Sequence, residues 1–256
     1  LNLAAIFRDE ISKKFELSSY GSLDYLLGVR CEHVKGAVDT YLSTNQTGDI
    51  ESLMRRFHSD VLPSKRAPTT PLSKSDRFTK EQCPTTDEQK QAMLKTPFRP
   101  LIGSLLFLAR NRVDIAASVG ILSSFNSNPG PIHFKAGRRI LSYLYGTRKL
   151  GFCYGANKHH WTAQKYSNCI SASVDADFAG ALVCGKSRTG YVIRMYGDTV
   201  EALTQLQRAT TNSTGHAELK ALAHLVRKLT FYRDILPLFG LKFDPQYPFQ
   251  VESDSS

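Results

Sequence analysis

The stretch SASVDADFAG, residues 171–180, places two acids one residue apart at the end of a strand-like run. Carboxylates are costly to hold against a folded core unless other groups pair with them. What Asp175 and Asp177 can do therefore depends on the groups that the fold brings to them. Two acids further along the chain, Glu218 and Asp254, are the candidates.

The residues around this stretch alternate with the period of β-strands. Three candidate strands, separated by turn residues, run through residues 169–178, 187–197 and 198–211. A helix capped near Ser213 or Thr214 follows, and residues 249–254 form a fourth candidate strand. The order β-β-β-α-β predicts a mixed sheet with a helix packed on it, which makes the fold α+β or α/β. The apolar stripe of that helix consists of Leu219, Leu222, Val226 and Leu229.

Three acids occupy related positions in this predicted fold. Asp175 ends the first strand, Glu218 lies in the first turn of the helix, and Asp254 ends the last strand. If the first and last strands are adjacent, the three carboxylates meet at one edge of the sheet; a solvated strand end is the alternative for each acid alone. Like charges raise one another's pKa unless cations lie between them. Oxygen ligands without His or Cys favour Mg²⁺ or Mn²⁺, and two such ions can support phosphodiester hydrolysis.

Length and composition limit the function classes. The chain has 256 residues, of which 41% are hydrophobic, and no apolar run approaches a membrane span of about 20 residues. Its five cysteines are scattered without a CxxC pair, which is typical of reduced intracellular thiols. A net charge of +10 favours a polyanionic partner, nucleic acid before anionic membrane, with a merely basic soluble protein as the alternative. The first residue is not Met, which indicates a piece of a longer chain, and no secretory signal pattern is visible.

The beginning of the chain predicts two further structural regions. Residues 22–31 read as a strand, with a partner strand near residues 39–43. Residues 61–96 are rich in Pro, Ser, Thr and charge, and such a composition is typical of a linker. We therefore expect a boundary there.

Residues 97–150 have a helical pattern with one basic face. Asp114 is placed to cap one helix, and Pro131 suits the first turn of another that ends at Gly146. The basic face predicts contact with a phosphate backbone, and a solvated helix face is the alternative. Its residues are Lys135, Arg138, Arg139, Arg148 and Lys149.

Six segments together carry a resemblance to a known family: SLDYLLGV, PFRPLIGSLLFLARNRVDIAASVGILSSF, HFKAGRRILSYLYGT, SVDADFAG, SRTGYV and NSTGHAELKAL. In this order they are similar to the C-terminal part of the Pol polyprotein of copia-type LTR retrotransposons. The resemblance implies a helical thumb-connection segment followed by a partial RNase H-like fold. It divides the chain into the end of a reverse transcriptase palm and the thumb (1–60), a linker-like segment (61–96), a helical connection (97–150) and an RNase H-like domain truncated at its C-terminus (165–256).

The resemblance also implies an activity and its residues. Tyr25 and Gly28 would belong to a hairpin that grips the primer end. Asp175, Glu218 and Asp254 would be the catalytic, metal-binding acids, and Asp177 is the weaker candidate because related elements carry uncharged residues there. The implied reaction is Mg²⁺- or Mn²⁺-dependent endonucleolytic cleavage of RNA in RNA/DNA hybrids, with two ions. The implied partners are such hybrids or other nucleic acid, and the remaining Pol subunits, without a membrane; the implied location is cytoplasmic, in a virus-like particle, or nuclear.

Four departures from the family pattern leave a second hypothesis open. The paired polymerase aspartates of the palm are absent, RPDI is usual where residues 112–115 read RVDI, and an acid is usual at His216. The later helix, the last strand and the fourth metal-site residue are not in this chain, which predicts weak or no cleavage by the chain alone. The alternative function is a catalytically inactive nucleic-acid-binding relic of the element.

Overall fold

The computed structural model describes residues 3–18, 23–35, 40–58, 67–73, 75–155, 170–181, 185–239 and 249–253. The helices in these ranges are α1 (Leu3–Ser12), α2 (Thr47–Phe57), α3 (Asp87–Leu94), α4 (Phe98–Leu108), α5 (Ala116–Ser123), α6 (Pro131–Gly146) and α7 (Thr214–Ile235). The strands are β1 (Tyr25–Leu26), β2 (Val29–Lys35), β3 (Thr40–Asn45), β4 (Cys153–Tyr154), β5 (Ile170–Ala181), β6 (Lys186–Met195), β7 (Asp198–Leu206) and β8 (Gln250–Ser253). The α+β fold class is confirmed.

The first sheet is antiparallel, with the strand order β1-β2-β3-β4. The described residues 23–31 do not form the single strand predicted for 22–31, because the chain reverses at Leu27 and Gly28, whose φ angles are 50° and 85°. Two adjacent residues with positive φ make the tight turn that suits a two-residue hairpin. The expected partner strand near residues 39–43 is confirmed in its described part as β3.

A helical core lies between α2, α4, α5 and α6. Leu101, Leu105 and Leu144 within it are fully buried. Gly137 lets α4 and α6 approach closely, since a Cβ atom there would lie 2.9 Å from Leu101 Cδ2. The bounds of α6 confirm the predicted start at Pro131 and the predicted end at Gly146.

The segment predicted to be linker-like contributes to this core in its described part. Phe78 is buried and packs edge-on against Phe125, with 6.3 Å between the ring centroids. Helix α3 follows, capped by Thr86, whose Oγ1 accepts a hydrogen bond from Gln89 N–H. The division of the chain into four parts stays a prediction.

The second sheet has the strand order β7-β6-β5-β8, with β8 parallel to β5 and the other pairs antiparallel. Helix α7 connects β7 to β8 in the sequence and packs on this sheet, which confirms the predicted β-β-β-α-β order. Ser213 caps α7, because its Oγ accepts a hydrogen bond of 3.2 Å from His216 N–H.

The apolar stripe predicted for α7 is wrong in part. Leu219 and Val226 are 66% and 48% exposed. The side chains that pack on the sheet recur every four residues and include small ones: Ala217, Ala221, Leu225 and Leu229. Where a helix and a sheet approach closely, only small side chains fit between them. The larger Leu219 lies outside this contact.

Helix α5 covers the opposite face of the second sheet from α7. Side chains of successive strand residues point to opposite faces, so Val174 packs towards α7 while Asp175 faces away from it. Helix α5 contacts β7 on that other side. No helix in the described ranges is long and apolar enough to cross a membrane.

Candidate active site

Asp175 lies in the middle of β5, opposite Gly190 of β6, and not at the end of the strand as predicted, because β5 continues to Ala181. Its side chain is exposed. It lines a cleft of about 260 Å³ between the second sheet and the residues that begin α5. Val113 and Ala116 form one wall of the cleft, and Thr204 belongs to the other. The cleft therefore gives Asp175 access to solvent and to small ligands.

Glu218 contacts the backbone of β5 at the residue that follows Asp175. Its Oε1 accepts a hydrogen bond of 3.2 Å from Ala176 N–H, the amide that directly follows Asp175. Because α7 begins at Thr214, Glu218 falls in the second turn of the helix rather than in the predicted first turn. The structure thus places Glu218 against the backbone of β5 at the residue after Asp175, whose own side chain lies in the cleft on the other face of the sheet.

Asp254, the third predicted acid, lies outside the described residues. The described part of β8 runs parallel to β5 and ends with Ser253 opposite Val174. The next residues in the two sequences are Asp254 and Asp175. Within the described residues there is no group of three or more His, Cys, Asp or Glu side chains that could hold a metal ion.

Asp177 shares the strand and face of Asp175 but has different neighbours. It pairs in register with Arg188 of β6, and the regular pairing is interrupted between Asp177 and Ala181. It lines a separate cleft of about 500 Å³ together with Arg188 and Asp76. These surroundings provide a natural comparison for Asp175 in experiments.

The predicted primer-end residues lie on the first hairpin. Tyr25 is 64% exposed on β1, and Gly28 is the second residue of the turn. Both line a cleft of about 550 Å³ between the hairpin and the start of α2, which Gln46 and Asp49 also line. The hairpin is therefore accessible from solvent.

The predicted basic face divides into two kinds of residue. Lys135 and Lys149 are exposed. The three arginines are half-buried and contact their own chain: Arg138 Nη2 lies 3.3 Å from His58 Nδ1, Arg139 donates to Thr70 O, and Arg148 forms an ion pair of 3.2 Å with Glu51. The three arginine side chains thus have contacts within their own chain.

Asp114 does not cap a helix as predicted, since α5 begins later, at Ala116, and no side chain caps it. Its carboxylate instead accepts hydrogen bonds from the buried Arg112 guanidinium at 3.0 and 2.7 Å and from Tyr143 Oη at 2.6 Å. Arg112 also donates to both Thr147 O and Thr147 Oγ1. Burial raises the pKa of Asp114, but the Arg112 and Tyr143 hydrogen bonds and the Arg112 charge outweigh it and hold the pKa below its usual value.

His133 supports the start of α6. Its Nδ1 accepts a hydrogen bond of 2.8 Å from Gly130 N–H, and its ring stacks on Phe125 with 3.9 Å between centroids. The side chain is fully buried, and this burial lowers its pKa to about 4. It is therefore neutral at physiological pH and has a structural role.

A second basic region, which the sequence did not predict, lies on α7 and just after β7. Its residues are Arg208, Lys220, Arg227 and Lys228, which line one cleft. The signal in the sequence is the spacing of Lys220 and Arg227, seven residues apart and so on one side of a helix.

Comparison with known proteins finds similarity along nearly the whole chain. The retrovirus-related Pol polyprotein from transposon TNT 1-94 of Nicotiana tabacum is 30% identical over 255 residues, which are 99% of this chain and 18% of that protein. The retrovirus-related Pol polyprotein from transposon RE1 of Arabidopsis thaliana is 27% identical over 236 residues, 91% of this chain and 14% of that protein. The chain thus spans less than a fifth of the length of either polyprotein.

A shorter relative matches over about half of the chain. The secreted RxLR effector protein 161 of Plasmopara viticola is 31% identical over 137 residues, which are 53% of this chain and 91% of that protein. No protein-family model matches the chain. No solved structure matches it either.

Proposed function

Because the chain belongs to the Pol polyproteins of copia-type retrotransposons, of which it is a fragment, we propose that its second sheet forms a nuclease site of the RNase H type. The substrate is an RNA/DNA hybrid, and the reaction is metal-dependent endonucleolytic cleavage of the RNA strand. The observation that carries this proposal is the hydrogen bond between Glu218 and the backbone amide beside Asp175. It is supported by β8, which runs parallel to β5 and ends one residue before Asp254 in the sequence.

Asp175, Glu218 and Asp254 would hold the metal ions. Their donors are carboxylate oxygens, which suit Mg²⁺ or Mn²⁺. Asp175 is open to solvent in its cleft, and Glu218 is fixed by its bond to Ala176 N–H. When bound, two such ions would supply an activated water and stabilise the leaving 3′ oxygen.

The protein's own groups would orient the acids and hold the hybrid. The Ala176 amide holds the Glu218 carboxylate against the backbone of β5. An A-like hybrid is held by contacts to its backbone and 2′-hydroxyls rather than to its base edges. Contacts with nucleic acid are proposed for the residues predicted from the sequence: Tyr25, Gly28, Lys135, Arg138, Arg139, Arg148 and Lys149. The exposed Lys135 and Lys149 are the first candidates among the basic ones.

The experiment compares two aspartates on the same strand. The purified chain, in excess over a hybrid with a labelled RNA strand, is incubated with Mg²⁺ or Mn²⁺, beside Asp175→Asn and the matched control Asp177→Asn. We expect weak, metal-dependent cleavage that Asp177→Asn retains and Asp175→Asn loses. Calorimetric titration with Mn²⁺ should show the same contrast in binding.

Each other outcome has a defined meaning. Equal effects of the two substitutions on cleavage and on Mn²⁺ binding would show a general influence of charge and refute the assignment of Asp175. Hybrid binding without cleavage by the unsubstituted chain, and without Mn²⁺ binding, would favour the alternative, a catalytically inactive nucleic-acid-binding relic.

A further inference from the structure

A basic cleft of about 610 Å³ lies between α7 and the end of β7, apart from the cleft that Asp175 lines. Helix α7 forms one wall with Lys220, Arg227 and Lys228, and Gln205 and Arg208 belong to the other wall. Basic residues from both elements line the cleft, so a ligand in it would meet positive charge from each of them.

Three of these four basic residues have no carboxylate partner among the described residues. Lys220 Nζ donates to Thr210 O at 3.2 Å, and Arg227 Nε donates to Ala223 O at 3.1 Å. Both partners are uncharged carbonyl groups and not carboxylates. Lys228 differs, because its Nζ lies 3.0 Å from Glu201 Oε1.

The spacing along α7 suits a repeated anion. Lys220 and Arg227 lie seven residues apart on one side of the helix, which is about 10 Å along its axis. Phosphates recur at regular intervals along a nucleic-acid strand, so two cations at this distance can contact different phosphates of one strand. His224 lies between the two, and its pKa is lowered by burial and then by the charges of Arg227 and Lys228.

We propose that this cleft binds the sugar-phosphate backbone of a nucleic acid, as a contact separate from the acids of the second sheet. The identification of this nucleic acid as an RNA/DNA hybrid rests on the proposed function. A cleft with cations on both sides can contact the phosphates of one strand of a duplex, whereas the flat surface of an anionic membrane would meet only the rim. Backbone contact of this kind is independent of base sequence.

The experiment measures binding in the absence of divalent metal, so that cleavage does not contribute. Fluorescence anisotropy with a labelled short RNA/DNA hybrid in EDTA is recorded over a series of salt concentrations. The variants are Lys220→Ala/Arg227→Ala and the single charge reversal Arg227→Glu. Arg233→Ala is the matched control, because Arg233 lies on the same helix, outside the cleft, and contacts Asp234 at 2.9 Å. Circular dichroism checks that each variant is folded.

We expect the double variant to bind the hybrid roughly tenfold more weakly at low salt, with the slope of log K against log salt smaller in magnitude by about 2. Arg227→Glu should weaken binding by a similar factor, and Arg233→Ala should change it less than twofold. The difference between the variants and the unsubstituted chain should narrow as salt is raised.

Three outcomes would overturn the proposal. They are unchanged binding and salt slope in the two cleft variants, an equal loss in Arg233→Ala, and a cleft-dependent affinity for vesicles of phosphatidylcholine and phosphatidylserine that exceeds the affinity for the hybrid. Failure of the proposed function is distinguishable from these. In that case cleavage is absent, while the cleft variants still weaken hybrid binding relative to Arg233→Ala.

Discussion

Glu218 and Ala176 are joined by a hydrogen bond of 3.2 Å that ties helix α7 to the middle of strand β5. The donor is a backbone amide, so this contact follows the path of the strand. A substitution at Glu218 therefore changes two properties, the charge beside Asp175 and the attachment of α7 to the sheet.

Two substitutions of Glu218 should separate these properties. Glu218→Gln keeps an oxygen that can accept the Ala176 N–H, so we expect the free energy of unfolding to change by less than about 0.5 kcal/mol. Glu218→Ala removes the acceptor and should lower it by about 1 kcal/mol. Urea denaturation followed by circular dichroism measures both. Mn²⁺ binding should weaken in both variants, and equal stability of the two would show that the hydrogen bond contributes nothing.

Burial of His133 should make the stability of the fold depend on pH. The folded state lowers the pKa of this imidazole from 6.5 to about 4, so the unfolded chain takes up a proton first as the pH falls. The contribution of the neutral His133 to the free energy of unfolding is complete above pH 6.5. It is lost as the pH falls from 6.5 to about 4. The loss amounts to about 3 kcal/mol, at about 1.4 kcal/mol for each pKa unit.

The comparison with His133→Gln isolates this effect from the other histidines. Glutamine offers an oxygen to Gly130 N–H and does not titrate, so its free energy of unfolding should fall less steeply over the same pH range. Urea denaturation at several pH values measures both slopes. Parallel slopes for the two proteins would rule out His133 as the origin.

Gly28→Ala should destabilise the first hairpin. Its φ angle of 85° is unfavourable for any residue with a side chain, and a Cβ atom there would lie 2.6 Å from Phe107 Cζ. Left-handed strain alone costs about 1–2 kcal/mol, and the contact adds to it. Gly48→Ala is the matched control, because a Cβ atom at Gly48, in the first turn of α2, meets nothing within 4 Å. Thermal denaturation should show a lower midpoint for Gly28→Ala and an unchanged or higher one for Gly48→Ala.

Local signals predicted much of this fold. The strand period and the turn residues were enough for the β-β-β-α-β order, because each depends on residues close together in the sequence. The capping residue Ser213 and the helix start at Pro131 follow from the local chemistry of helix ends. These features would be expected in any fold that contained the same segments.

Features that depend on tertiary contact were not predictable in the same way. The face of α7 that packs on the sheet is set by how closely helix and sheet approach, and this favours Ala217 and Ala221 over Leu219. The basic cleft combines Arg208 with Arg227, which only the packing of α7 beside β7 brings together. The hydrogen bond from Ala176 N–H to Glu218 has no signature in the sequence, because it depends on how α7 packs on β5.

The parallel pairing of β8 with β5 has a consequence for biosynthesis. Strand β5 leaves the ribosome first and pairs with β6 on one side, while its other side stays open until β6, β7, α7 and finally β8 have been made. An open strand edge can pair with another chain, so the nascent protein is most prone to aggregation in this interval. Slower translation through the residues before β8 would lengthen the exposure and lower the soluble yield.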